Sequence, residues 1–223
     1  MSDRKDPHRG VLVIGLGRFG EAVARTLCEQ GIDVLAVDFD PEIVQRLSAD
    51  IPNIVQADAT SSRALRQVGA EQFERAVVAI ATNIESSVLA TLALKDDLKI
   101  PQVWTKAISK EHAKILERMG TDRVIQPEHE MGVRTAQGLA QGVTDYIRIE
   151  EDFALVEMEA PESFLGKPLG QSGIRNEYGI TIVSVKPPGG VFRHTDANTV
   201  LEPGELILIA GTPAQLDRLT DSV

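Results

Sequence analysis

Hydrophobic runs and amphipathic stretches alternate through the first half of the chain. Residues 11–14 (VLVI) and 76–81 (AVVAIA) are apolar at successive positions, the pattern of parallel strands covered by helices on both faces. Shorter runs over 33–38, 53–56, 102–105 and 122–125 predict four further strands. Segments at helical spacing separate them. One follows the first strand through 21–27. A second is opened by Asp40-Pro41-Glu42 and carries Ile43, Val44 and Leu47. A third, capped by Ser61-Ser62, carries Ala64, Leu65 and Val68 up to Gly69. Residues 84–98 predict a strongly apolar helix, and another runs through 112–116. This alternation predicts an α/β fold, a Rossmann-like doubly wound parallel sheet with strand order 3-2-1-4-5-6.

The texture changes after Pro127, which starts a helix over 128–142. Strands are expected at 146–149, 153–159, 180–185, 191–194 and 206–210, with turns at 166–170, 176–179, 187–190 and 202–205. Thr212 as N-cap and Pro213 behind it open a last helix through Leu216 and Leu219. The expected organisation is a disordered tail (1–9), a Rossmann-like nucleotide-binding domain (10–126), a connecting helix (127–144) and a small α+β domain (145–223).

Composition narrows the function. The 223 residues carry a formal net charge of −10, and residues 145–223 hold 13 acidic against 6 basic side chains. An acidic second half argues against nucleic acid or anionic lipid as a direct partner. Neither an apolar stretch of about 18 residues nor a signal-peptide core is present, so a cytoplasmic protein is expected. Cys28 is the only cysteine, which excludes an internal disulfide and fits a reducing compartment. At its position in the first helix it reads as a small core residue.

The chemistry concentrates in GLGRFG, residues 15–20. Gly15 lets the strand turn, Gly17 lets backbone N–H groups approach a pyrophosphate, and Gly20 lets the helix pack on the strand. Phosphates would then sit at the helix N-terminus. Asp38 ends the second strand 18 residues after Gly20, where a carboxylate accepts from ribose hydroxyls and repels a 2′-phosphate. NADP is disfavoured; NAD, ADP and ATP stay open. Asp58 and Ala59 after the third strand, and Ala81, Thr82 and Asn83 after the fourth, are expected at the edge where an adenine rests. Asp58 reads equally well as a turn aspartate. Arg18, between the second and third glycines, can reach terminal phosphates with a bidentate guanidinium, or stand as a solvated helix-start arginine. None of the four histidines, His8, His112, His129 and His194, sits in a nucleophile or metal-binding motif. That is modest evidence against an enzyme.

Taken together, GLGRFG, the strand ending VDFD, the ADAT segment, the VAI strand with its polar pair and helix, WTKA and QPEHEMG resemble RCK (KTN) proteins. The likeness is strongest to the cytosolic gating subunits of Ktr/Trk-type bacterial potassium transporters and covers about residues 10–220. It implies a phosphate loop of Gly15, Gly17, Arg18, Phe19 and Gly20, and Asp38 as the ribose carboxylate. Asp58 and Ala59 would stand near the adenine, with Lys106 of WTKA near the phosphates. It places Glu128 by the terminal phosphate of a neighbouring subunit's ATP, where it would help hold magnesium or another cation. A carboxylate in the first turn of a helix also stabilises the dipole without any ligand.

The resemblance further implies a homodimer joined through the connecting helix, an octameric ring of such dimers beneath a membrane potassium transporter subunit, and cyclic di-AMP at the C-terminal domain. The function expected is therefore a nucleotide-sensing regulatory subunit, not an enzyme, peripheral at the inner face of the membrane. The alternative is an NAD(H)-dependent oxidoreductase or an NAD(H)-sensing regulator.

Overall fold

The computed structural model describes residues 10–222. The tail over residues 1–9, expected to be disordered and carrying His8, lies outside them. The first unit contains strands β1 (Val11–Ile14), β2 (Val34–Asp38), β3 (Ile54–Gln56), β4 (Arg75–Val78), β5 (Gln102–Lys106) and β6 (Arg123–Ile125). Helices α1 (Arg18–Glu29), α2 (Pro41–Leu47), α3 (Ser62–Gln67), α4 (Ile84–Leu92) and α5 (Lys110–Arg118) separate them. The strands form one sheet in the order β3-β2-β1-β4-β5-β6, parallel throughout. This is the doubly wound order expected.

Alternation along the strands sorts side chains to the two faces. Leu12, Ile14, Leu35, Val37, Ala76 and Val78 join one core with Leu65, Ala90 and Leu94. Val11, Val13, Val34, Ala36 and Val77 join the other with Ala24 and Leu47. Full burial of each large aliphatic among them is worth about 1.5–3 kcal/mol.

Local differences from the expected elements have physical causes. Helix α1 begins at Arg18, because Gly17 in extended conformation serves as its N-cap. Strand β4 stops at Val78, and residues 79–81 run on as irregular chain bordering the cleft at the sheet edge. The apolar run over 84–98 is α-helical only to Leu92. A π-helical turn, Ala93–Asp97, follows and closes with the Leu98 N–H donating to the Ala93 carbonyl.

The chain divides after Pro127 into two compact units. The connecting helix α6 (Pro127–Gln141) leads into β7 (Asp145–Glu150), β8 (Phe153–Glu159), α7 (Leu169–Ser172), α8 (Ile174–Tyr178), β9 (Thr181–Lys186), β10 (Arg193–His194), β11 (Leu206–Gly211) and α9 (Pro213–Thr220). An antiparallel sheet in the order β10-β9-β11-β8-β7 carries a core of Tyr146, Val156, Val185, Ile207 and Ile209, closed by Leu216 and Leu219 of α9. Thr212 and Gln215 form a reciprocal capping box at the start of α9, with Pro213 behind the cap. Of the strand expected over 191–194 only Arg193–His194 pairs; Val191 stays 81% exposed.

Candidate functional site

A cleft of about 550 Å³ opens at the carboxyl edge of β1, β2 and β4, where the strand order reverses. The glycine loop forms its floor. Gly15 has φ +83°, and a Cβ there would lie 3.0 Å from the Ile80 nitrogen. At Gly20 a Cβ would stand 1.8 Å from the Gly15 carbonyl oxygen, so α1 reaches this depth only because residue 20 lacks a side chain. Gly17 is different: its φ is −63° and nothing lies within 4 Å of its notional Cβ. Among the described residues no contact requires a glycine there. Among the described residues no side chain caps α1, which leaves its first N–H groups without a side-chain acceptor next to the cleft-lining Gly17.

Asp38 ties this loop to β2. Its Oδ2 accepts from the Leu16 N–H at 2.6 Å and its Oδ1 from the Asp40 N–H at 2.9 Å. Asp40 in turn caps α2, accepting from the Glu42 N–H at 2.8 Å. Behind the loop, Glu21 in the first turn of α1 pairs with Arg46 and Arg25, at 2.8 and 3.0 Å. The Arg46 hydrogen bond, supported by Arg25 against partial desolvation, holds its carboxyl below the usual range. These two arginines offset the negative charge of Glu21 in the first turn of α1.

Asp58 borders the cleft, and its Oδ1 accepts from both the N–H and the hydroxyl of Thr60, at 2.9 and 2.7 Å. The turn role and the cleft position therefore coexist. Asn83 caps α4 by accepting from the Ser86 N–H at 3.0 Å, and both residues line the cleft.

Of the residues singled out from sequence, Gly15, Gly17, Asp38, Asp58, Ala59 and Ala81 line the cleft. Arg18 stands exposed at the first turn of α1, and Gly20 is buried beneath the loop. Phe19 packs against the core behind it. Lys106, only 5% exposed at the end of β5, places its ammonium 5.6 Å from the centroid of the Phe19 ring. Glu128 is exposed in the first turn of α6, within the second unit. Among the described residues no three His, Cys, Asp or Glu side chains gather to hold a metal ion.

Sequence reasoning missed Phe39. It borders the cleft directly after Asp38 and is 72% exposed, with its carbonyl accepting from Gln56 Nε2 at 3.2 Å. The available signal was a large aromatic placed just past the end of a core strand. His112, by contrast, is buried to 1% exposure near the start of α5 and does not line the cleft. Its Nδ1 accepts from the Ile108 N–H at 3.4 Å, and burial pushes its pKa down. In the second unit a cavity of about 410 Å³ is bordered by Ile174, Arg175, Asn176 and Thr195. Among the described residues no helix is long and apolar enough to cross a membrane.

A parallel sheet with a glycine turn at its switch point and a carboxylate closing the second strand defines a Rossmann-like nucleotide-binding fold. The TrkA-N domain family matches residues 11–127 and the TrkA-C domain family residues 153–223. The chain belongs to the family of proteins built from these two domains, the RCK proteins.

It is 36% identical over 207 residues to Ktr system potassium uptake protein A of Bacillus subtilis (strain 168), covering 92% of this chain and 93% of that protein. To Ktr system potassium uptake protein C of the same organism it is 33% identical over 212 residues, covering 95% and 96%. Among solved structures, the GsuK RCK domain superposes with a TM-score of 0.66 at 18% identity, over 99% of this chain and 48% of that one. The sequence resemblance to RCK proteins and the fold class are thus confirmed.

Proposed function

We propose that this chain is the regulatory subunit of a membrane potassium uptake system and that an adenosine nucleotide bound at the cleft sets its conformation. The observation that carries the nucleotide half is Gly17: the loop is open where a side chain would fit, beside an uncapped helix N-terminus and the Asp38 carboxylate. Identity to the two Ktr proteins along nearly the whole of both chains supports the regulatory half.

In this reading phosphates lie against Gly15–Gly17 (15–17) and the first turn of α1, and Asp38 turns its remaining acceptor capacity toward ribose hydroxyls. The base rests among Asp58, Ala59 and Ala81. Arg18 reaches the terminal phosphate, and Lys106 adds positive charge from behind Phe19. Glu128 completes the site of a neighbouring subunit together with magnesium or another cation.

ATP and ADP shift the equilibrium between conformations only insofar as they bind them with different relative affinities, and contacts to the γ-phosphate supply that difference. The working unit is a homodimer assembled into an octameric ring beneath the membrane subunit, at its cytoplasmic face.

NAD or NADH as the ligand is the second reading. GsuK structures bound to NAD and bound to ADP share this fold, at TM-scores of 0.50 and 0.51 and 20% and 22% identity. The cavity beside Arg175 and Asn176 is where we place cyclic di-AMP. A thermal-shift panel with ATP, ADP, NAD, NADH, NADP and cyclic di-AMP at one concentration, with and without magnesium, tests all of this, because a ligand that binds the folded state stabilises it more the further its concentration exceeds its Kd. A shift by NADH alone that survives Arg18→Ala overturns the ATP reading.

A further inference from the structure

The junction between the connecting helix and the C-terminal sheet is short and tied at several points. Helix α6 ends at Gln141, Gly142 follows at φ +65°, and β7 begins at Asp145. The Val143 N–H donates back to the Gly138 carbonyl at 3.1 Å, and Val143 and Tyr146 are buried in the C-terminal core.

Across this turn Arg134 forms a two-pronged ion pair with Asp145. Its Nε donates to Oδ1 at 2.6 Å, and a terminal guanidinium nitrogen donates to Oδ2. Asp145 Oδ1 also accepts from the Tyr146 N–H at 2.8 Å, which fixes the carboxylate to the strand. Both side chains are about one-third exposed, and the pair fixes a plane as well as a distance because the guanidinium is planar. The Arg134 hydrogen bond holds the Asp145 carboxyl below the usual carboxylate range.

At the other end of α6 the chain divides between the two units, after Pro127. Gln126 stays with the first unit, its Nε2 donating to the Ser109 carbonyl at 3.0 Å. The residue before a proline is biased away from helical geometry, so the helix cannot simply extend backward through this point.

We propose that Arg134 is a positioning residue: through Asp145 it fastens α6 to the C-terminal domain as one rigid arm, with the hinge of the molecule at Gln126–Pro127 (126–127) and not at the glycines that end the helix. Glu128 stands six residues from Arg134 on that arm. The clamp therefore fixes the angle at which Glu128 is presented, and movement at one end of the arm reaches the other. The structural half stands by itself; the functional half rests on the nucleotide switch proposed above.

Spin labels at Arg63→Cys on α3 and Arg218→Cys on α9, in a Cys28→Ser background of the full chain, read both halves by pulsed dipolar spectroscopy. Without nucleotide, Arg134→Ala is expected to broaden the distance distribution about twofold, and the exchange Arg134→Asp with Asp145→Arg to narrow it again. With ATP against ADP, the unsubstituted protein is expected to move its mean distance, and Arg134→Ala to lose at least half of that movement while its ATP affinity stays within twofold. A distribution of unchanged width in Arg134→Ala overturns the clamp. An equal ATP–ADP movement in both proteins overturns its role in coupling. No movement in the unsubstituted protein instead defeats the nucleotide switch, and the width comparison still decides the clamp. Recovery in the exchanged pair separates loss of the clamp from misfolding.

Discussion

The backbone N–H of Leu16 donates to Oδ2 of Asp38 across 2.6 Å, joining the phosphate loop after β1 to the last residue of β2. The carboxylate proposed to read ribose thus also builds the loop beside it. Its other oxygen accepts from Asp40, which caps α2, so loop, strand end and next helix share one charged group. If Asp38 binds the ribose as proposed, ligand affinity and loop stability are coupled at this residue.

Asp38→Ala should lower both. Hydrogen bonds to a charged group are worth about 1.5–3 kcal/mol, and part of that is recovered by water at a half-exposed site. We expect the ligand-free protein to lose about 1–2 kcal/mol in urea unfolding, and every adenosine ligand to weaken alike. Unchanged ligand-free stability would mean that the Leu16 contact is not holding the loop.

The three loop glycines should separate under substitution by alanine. At Gly20 the new Cβ meets the backbone carbonyl of Gly15 at 1.8 Å, which no rotamer change relieves, so Gly20→Ala should cost about 3 kcal/mol or more. At Gly17 the φ is ordinary and the space open, so Gly17→Ala should fold within about 0.5 kcal/mol of the parent. Its thermal shift with nucleotide should nonetheless vanish, because the methyl group occupies the approach path. Calorimetry of the two variants with and without ATP makes the comparison; retained binding in Gly17→Ala would remove the case for a ligand on the loop.

Much of this architecture was legible in the sequence because its signals are local and periodic. Both-face apolar runs marked β1 and β4, and the glycine spacing placed the cleft at their edge. The boundaries that failed did so where hydrophobicity is ambiguous: residues 79–81 are apolar but lie past the last paired residue of β4, on irregular chain bordering the cleft, and residues 93–97 keep an apolar face while changing helical register. Phe39 escaped because exposure, which makes it informative, is invisible in a residue type that usually signals core. The Arg134–Asp145 pair joins a helix to a strand across eleven positions, so no helical or strand period brings it forward.

Arg18→Ala is expected to discriminate between ligands. The side chain is exposed at the first turn of α1, so ligand-free stability should hold within about 0.5 kcal/mol. Loss of a charge-assisted contact to a terminal phosphate should weaken ATP about tenfold, roughly 1.4 kcal/mol. ADP should weaken less. Equal losses for ATP and ADP in titration calorimetry would place Arg18 on the α- or β-phosphate instead and remove it from the switch.

His112 is expected to contribute to the loss of stability as pH falls below neutrality. The Ile108 N–H donates to Nδ1, so the neutral ring carries its proton on Nε2, and a second proton on Nδ1 would break that contact inside a site with 1% exposure. Burial lowers the folded-state pKa below the ordinary histidine value of about 6.5, so the unfolded chain binds the extra proton more readily. Stability contributed here is fully present above about pH 6.5 and is lost as pH falls from there through the folded-state value. The depressed carboxyls of Glu21, Glu111, Asp122 and Asp145 act in a lower window, below their ordinary values of 4.5 and 3.8. The parent's unfolding free energy in urea should therefore stay level from pH 7.5 to about 6.5 and fall from there toward about 5, whereas that of His112→Gln stays nearly flat. The variant should start lower at pH 7.5, because the Ile108 N–H loses its ring acceptor. Parallel slopes would show that another group carries the acid sensitivity.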